Sequence, residues 1–213
     1  MQPGNCLIAL SMSGRSVNYL AHLYLANNNS GLLIGSILGD FVKGSISTLY
    51  TPEIRAGIDL HRKVDSYTDS HQVVHASKRI VAPSRRRFAG IMVDLFYDHF
   101  LAKNWHHYST VSLYDFSHHV YTVLAEHQAI LPDALKQILP HMIEQNWLMS
   151  YREINHVNRA LNGISRRFKR QNNLFNSAEE LEWNYASFEQ DFQLFFPDLI
   201  HFVEHYKRSL ILA

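Results

Sequence analysis

Gly57-Ile58-Asp59-Leu60-His61-Arg62-Lys63-Val64-Asp65-Ser66-Tyr67-Thr68-Asp69 decides the fold. Ile58, Leu60, Val64 and Tyr67 recur at helical spacing, and Pro52 with Glu53 makes a sound first turn upstream, since proline at the first helical position forfeits no bond and a carboxylate suits the helix dipole. On the resulting helix, predicted to run from Pro52 to about Thr68, His61 and Asp65 lie one turn apart on one face. Asp69 falls one turn further along the same stripe if the helix persists.

A second stretch, Val93-Asp94-Leu95-Phe96-Tyr97-Asp98-His99-Phe100, repeats the pattern inside a more apolar helix. Asp94 and Asp98 share a face, and His99 sits about 100° round from them. Carboxylates buried in such surroundings without partners would cost several kcal/mol, on the order of the penalty for an unpaired charge, so a cation is the natural compensation. The two stripes are expected to meet at one shared ion. Imidazole and carboxylate donors without thiolates suit a divalent first-row metal in a catalytic rather than a structural site. Such an ion polarises a phosphoryl oxygen and lowers the pKa of bound water, so phosphodiester hydrolysis is the expected reaction type.

Single His/Asp pairs at this spacing are more often surface ion pairs than ligands. Asp69 can equally serve as an N-cap, Asp40 as the cap of a glycine-containing turn, and His22 as a core histidine. His106-His107 and His118-His119 do not chelate as pairs, because adjacent helical residues diverge by about 100°.

Working outward, apolar residues recur at helical spacing through most of the chain, while glycine, proline and strand-like alternation are sparse. The expected fold is all-α, a single helical bundle spanning residues 16–213. Helices are predicted over Val17–Asn27, Leu32–Val42, Gln72 to about Ile80, Ser84–Trp105, Ser112–Gln128, Asp133–Asn146, Tyr151 to about Arg170 and Ala178–Phe195, with a separate last helix after Pro197. No internal repeat or long linker divides the chain.

Of the 213 residues, 46% are apolar and 18% charged, which places the chain among folded globular proteins. The net charge of +1 announces neither a nucleic-acid partner nor a membrane surface, so electrostatic recognition has to come from local clusters. The sole cysteine, Cys6, fits a reducing, cytoplasmic setting. The apolar run Gly31–Gly39 is far short of the roughly 20 residues of a membrane span, so no membrane insertion is expected. Residues 1–15 read as a disordered extension.

The chain resembles the acyl carrier protein phosphodiesterase family. Three stretches carry the resemblance first: Val17-Asn18-Tyr19-Leu20-Ala21-His22-Leu23-Tyr24-Leu25-Ala26, Leu38-Gly39-Asp40-Phe41-Val42-Lys43-Gly44, and Gly57 to Asp65 with Thr68-Asp69. Arg86-Arg87, Asp94, Asp98-His99-Phe100-Leu101, Trp105, Trp147-Leu148, Tyr151-Arg152 and Ser165-Arg166-Arg167 continue it downstream. The resemblance implies an HD-domain-like helical phosphohydrolase using a divalent metal, typically Mn²⁺, with Fe²⁺ or Mg²⁺ as substitutes. It implies hydrolysis of the phosphodiester between 4′-phosphopantetheine and a serine of acyl carrier protein. By carry-over, His22, Asp40, His61, Asp65, Asp98 and His99 are the metal candidates, and Asp69 and Asp94 the catalytic ones. The namesake histidine–aspartate dyad reads here in reverse order, as Asp98-His99, which leaves open which residues ligate and which act as base.

Arg62, beside the proposed ligands, is a candidate to hold the phosphate in bidentate fashion. The arginines at Arg85-Arg86-Arg87 and at Arg166-Arg167, with Lys169 and Arg170, form clusters that would attract an acidic carrier protein, mostly through the association rate. Two other readings fit the same residues: an HD-type nucleotide phosphohydrolase, and a metal-free helical module that holds an acidic protein without reacting.

Overall fold

The computed structural model describes residues 19–26 and 29–211, and among them every regular element is helical. The expected disordered extension, residues 1–15, lies outside the described residues. Eleven α-helices follow in order among the described residues: α1 Tyr19–Ala26, α2 Ser30–Leu38, α3 Pro52–Ser70, α4 Gln72–Ile80, α5 Ala89–Lys103, α6 Leu113–Glu126, α7 Asp133–Glu144, α8 Trp147–Ser150, α9 Ile154–Ser165, α10 Glu179–Trp183 and α11 Tyr185–Ile211. They form one all-helical domain of HD-like character around a single core. No helix among the described residues is long and apolar enough to cross a membrane.

Side chains that satisfy the first backbone donors set the starts of these helices. Asn29 accepts from the Leu32 amide at 2.9 Å and opens α2. Thr51 does the same for Ile54 ahead of Pro52, and Ser112 for Asp115 ahead of α6. His71, rather than Asp69 or Ser70, caps α4, its Nδ1 accepting from the Val73 amide at 3.3 Å.

The core is built on α5 and α11. α5 is buried on nearly every side, as a helix apolar all round must be. Its Phe96 and Phe100 meet Phe188, Phe192 and Phe196 of α11 in a fully buried aromatic cluster. That cluster explains one departure from the sequence expectation. Pro197 does not start a new helix but sits inside α11. Loss of its N–H bond costs about 3 kcal/mol, which burial of the apolar side chains on both sides of it, Phe192 to Val203, offsets.

Other predicted helices are cut shorter: Leu32–Val42 ends at Leu38, Ala178–Phe195 breaks at Asn184, and two more differ further. The segment opening at Ser84 is a 3₁₀ turn, Pro83–Phe88, before α5 begins. The stretch from Tyr151 breaks until Ile154, and α9 ends at Ser165, where Asn172 folds back to take the Ser165 hydroxyl and donate to its carbonyl.

Four helix packings position the site. α2 lies on α3 with backbones in direct approach: a Cβ on Gly35 would fall 2.2 Å from the Ile54 carbonyl, and one on Gly57 would fall 2.6 Å from the Leu32 carbonyl. α1 packs against α2, α3 and α5 together.

Candidate metal centre

His22 of α1, His61 and Asp65 of α3, and Asp40 just after α2 converge where these helices cross. His22 Nε2 lies 3.1 Å from Asp65 Oδ1, and His61 Nε2 lies 3.3 Å from Asp65 Oδ2. Asp40 Oδ1 stands 3.7 Å from the same His61 nitrogen. The two imidazoles are stacked, centroids 3.9 Å apart and 18° from parallel. His22, His61 and Asp40 are buried, whereas Asp65 is partly open to solvent and supplies the exit.

The local sequence enforces this arrangement. Gly39 ends α2 against the flat face of His61, where a Cβ would fall 2.3 Å from Cγ. His61 and Asp65 are adjacent by helical repeat, as the sequence predicts. His22 reaches them because α1 is anchored from below: both oxygens of Asp98 accept backbone amides of its first turn, Leu20 and Ala21, each at 2.9 Å.

Burial and the mutual contacts of these groups set the protonation states of the metal-free cluster. Burial, reinforced by the neighbouring His61, lowers His22 to about 4, so it is neutral at pH 7. Burial opposes charge on His61 too, but its hydrogen bond to Asp65 and the charge of Asp40 outweigh this and raise it. For Asp65 burial works upward, and the bonds to His22 and His61 overcome it, holding the carboxylate well below its usual range. Burial raises Asp40 to about 7 against the pull of His61. Asp94, on α5, is raised to about 8 by burial and then by the charge of Asp65.

Donor chemistry and spacing fit a divalent ion. One atom each from His22, His61 and Asp65 lies within 4.8 Å of the others. Adjacent corners of an octahedron about 2.1 Å from its centre are about 3 Å apart, close to the two imidazole–carboxylate separations here.

Of the sequence candidates, the structure thus brings together His22, Asp40, His61 and Asp65, with Asp94 in electrostatic reach. It does not bring His99 there. His99 Nδ1 bonds the Tyr151 carbonyl at 2.8 Å and Nε2 the Tyr185 hydroxyl at 2.9 Å, so both nitrogens are engaged elsewhere. Asp98 is occupied as the anchor of α1. The expected meeting of α3 with the Asp98-His99 dyad at one ion is therefore corrected: α1 and α2 supply the partners, because the 100° step from Asp94 and Asp98 carries His99 toward α11.

Asp69 is also misplaced by the helical stripe. It is exposed near the end of α3 and pairs with Lys78 at 2.9 Å. Arg62 donates Nη2 to the Val42 carbonyl at 2.9 Å, bracing the segment that follows Asp40 instead of presenting an unengaged fork.

The arginine clusters divide. Arg85 is internal, bound to Glu179 at 2.6 Å and Glu180 at 3.2 Å. Arg86 is exposed but donates to the Val81 and Arg79 carbonyls, closing the end of α4, and Arg87 lies over the Phe88 ring. Arg166, Lys169 and Arg170 are exposed, while Arg167 is half-buried in a cavity of about 320 Å³. Tyr19, Trp147, Tyr151 and Arg159 also line this cavity. The sequence reading gave the aromatic and Arg159 positions no role, although Trp147 and Tyr151 recur within the family-like stretches.

A helical HD-like domain whose crossing helices present two imidazoles and a carboxylate to one point defines a class: the metal-binding helical hydrolases. The sequence comparisons narrow it. A family model described as acyl carrier protein phosphodiesterase matches residues 17–199, and the chain belongs to that family. It is 34% identical over 190 residues to an acyl carrier protein phosphodiesterase of Photorhabdus laumondii, covering 89% of this chain and 96% of that one. A namesake from Yersinia enterocolitica is 34% identical over 185 residues (86% and 96%), and one from Escherichia coli O157:H7 is 32% identical over 189 residues (86% and 96%). No solved structure matches. Family and site together make the chain a metal-dependent hydrolase related to these enzymes.

Proposed function

We propose that the protein hydrolyses the phosphodiester joining 4′-phosphopantetheine to a serine of holo acyl carrier protein, giving apo carrier protein and free 4′-phosphopantetheine. The observation that carries the reading is the Asp65 carboxylate held between His22 and His61 at 3.1 and 3.3 Å, in a chain whose relatives bear the name of this activity.

His22, His61 and Asp65 would hold the ion, with Asp40 as a fourth donor. When bound, a divalent metal, Mn²⁺ by preference and Fe²⁺ or Mg²⁺ as alternatives, supplies Lewis-acid polarisation of the phosphoryl group and a nucleophile from water at neutral pH. Asp65 orients both imidazoles through its two oxygens. Asp94, which keeps its proton at neutrality in the metal-free protein, is the candidate to deliver a proton to the departing serine oxygen. Arg62 fixes Asp40 through the Val42 carbonyl and so acts as a positioning residue.

The exposed Arg166, Lys169 and Arg170 at the end of α9, together with Arg86 and Arg87, provide positive charge for an acidic carrier. Mass spectrometry of holo carrier protein incubated with the enzyme and Mn²⁺ tests the reading. Loss of the phosphopantetheine mass from the carrier is the expected result. An unchanged carrier beside hydrolysis of a nucleotide would replace this substrate with the nucleotide alternative.

A further inference from the structure

We propose that the cavity between α1, α8 and α9 is the binding site for the pantetheine arm itself, entered from the metal centre past Tyr19. The inference rests on the substrate reading above and assigns to it a place that the metal site does not provide.

Tyr19 lines the cavity and lies three residues before His22 on α1, so the cavity wall and a candidate ligand share one helical face. The Tyr19 phenol is in electrostatic reach of Asp40 on the metal side and Arg167 on the cavity side. Tyr151, on the opposite wall, also senses Asp40. The cavity therefore flanks the metal centre on the Tyr19 side of α1.

Its volume, about 320 Å³, lies at the low end of the range of about 300–1,000 Å³ for small-molecule sites. Its lining is mixed in character. Trp147, Tyr19, Tyr151 and Ile164 give apolar surface, while Gln145, Ser150 and His156 supply hydrogen-bonding groups among them. An extended chain carrying a geminal dimethyl group, a hydroxyl and two amides presents the same mixture of apolar and hydrogen-bonding groups. A purely apolar acyl chain would offer no acceptor to the Arg159 guanidinium or the Gln145 amide at this wall, whereas the amide carbonyls of the arm supply one. Arg167, half-buried at this wall, is thereby moved from the carrier-docking set to the cavity.

The probe is pantetheine, which has neither phosphate nor carrier, titrated against the full-length protein by calorimetry. Saturable binding is expected, and Ala160→Phe, which places a ring into the cavity from α9, should weaken it at least tenfold. The same change should raise KM for holo carrier protein at least tenfold. If Ala160→Phe does not fold by circular dichroism, Trp147→Ala is judged by the same two readouts. Absent pantetheine binding, or binding and KM unmoved by a folded variant, overturns the assignment even where the wild-type enzyme releases the arm from holo carrier. Pantetheine binding abolished by the variant in a protein that leaves holo carrier intact would keep the cavity assignment and sink the substrate reading instead.

Discussion

Gly39 lies flat against the imidazole of His61, so close that a Cβ there would fall 2.3 Å from Cγ and 2.4 Å from Cδ2. The contact holds the ring where its Nε2 faces Asp65 and Asp40 together. Gly39→Ala should displace the ring, lower Mn²⁺ affinity at least tenfold, and cost about 1–3 kcal/mol of stability, as overpacking of a tight contact does. Calorimetric Mn²⁺ titration beside urea unfolding measures both, and an alanine variant with unaltered metal affinity would show that the ring position is not set by this glycine.

The Asp98–α1 contact predicts a separation of roles within the dyad. Asp98→Ala leaves the Leu20 and Ala21 amides unpaired, which should cost about 2–4 kcal/mol in urea unfolding, from the penalty for orphaned buried donors. His99→Ala removes the hydrogen bonds to Tyr151 and Tyr185, and its Mn²⁺ stoichiometry should equal that of the wild type. Loss of the ion on His99→Ala would restore His99 as a ligand.

A pH dependence follows from the buried carboxylates. Asp40 and Asp94, held up to about 7 and about 8 by burial, keep protons in the folded metal-free state that the unfolded chain has already released. The stability of the metal-free protein therefore falls as pH rises through this range. His61, also raised, contributes with the same sign, its stabilisation being lost as pH climbs through its folded value. His22, lowered to about 4, acts oppositely, but only below its unfolded value of roughly 6.5. From roughly pH 6.5 to 8 all these shifts agree. In EDTA, Tm should decline across that interval, and saturating Mn²⁺ should raise it most at the alkaline end. A metal-free Tm that rises from 6.5 to 8 would contradict the protonation states assigned to the site.

The proposed carrier docking is separable from the proposed chemistry because the arginines differ in engagement. Arg166→Glu with Arg170→Glu changes two exposed charges and should lower kcat/KM for holo carrier about tenfold at low salt, with the deficit shrinking as salt is added. Steady-state kinetics across a salt series checks this, and a deficit independent of salt would remove the docking role.

Much of this was legible in the residues themselves. The His61 and Asp65 pairing follows from helical repeat alone, and the all-helical class from apolar spacing. His22 and Asp40 were named through family resemblance, since no periodicity links three separate elements. The placement of His99 and Asp69 away from the cluster has a physical cause. Helical spacing says which side chains share a stripe but not which neighbour the stripe faces, and Asp69 sits at the frayed end of α3 where Lys78 is nearer than any ligand. Asp98 shows the complementary limit, since a buried carboxylate can be compensated by two backbone amides as well as by a cation. Pro197 inside α11 could not be read locally, because the aromatic packing that tolerates it comes from α5.

On the proposed function, Asp65 and the two stacked imidazoles hold the ion on which hydrolysis depends. The most direct measurement is Mn²⁺ binding by electron paramagnetic resonance, made on wild type and Asp65→Ala with release of phosphopantetheine followed in the same samples. A bound ion is expected in the wild type, with affinity at least 100-fold weaker in a folded Asp65→Ala and arm release lost in step. Wild-type Mn²⁺ affinity and turnover in Asp65→Ala would contradict that reading.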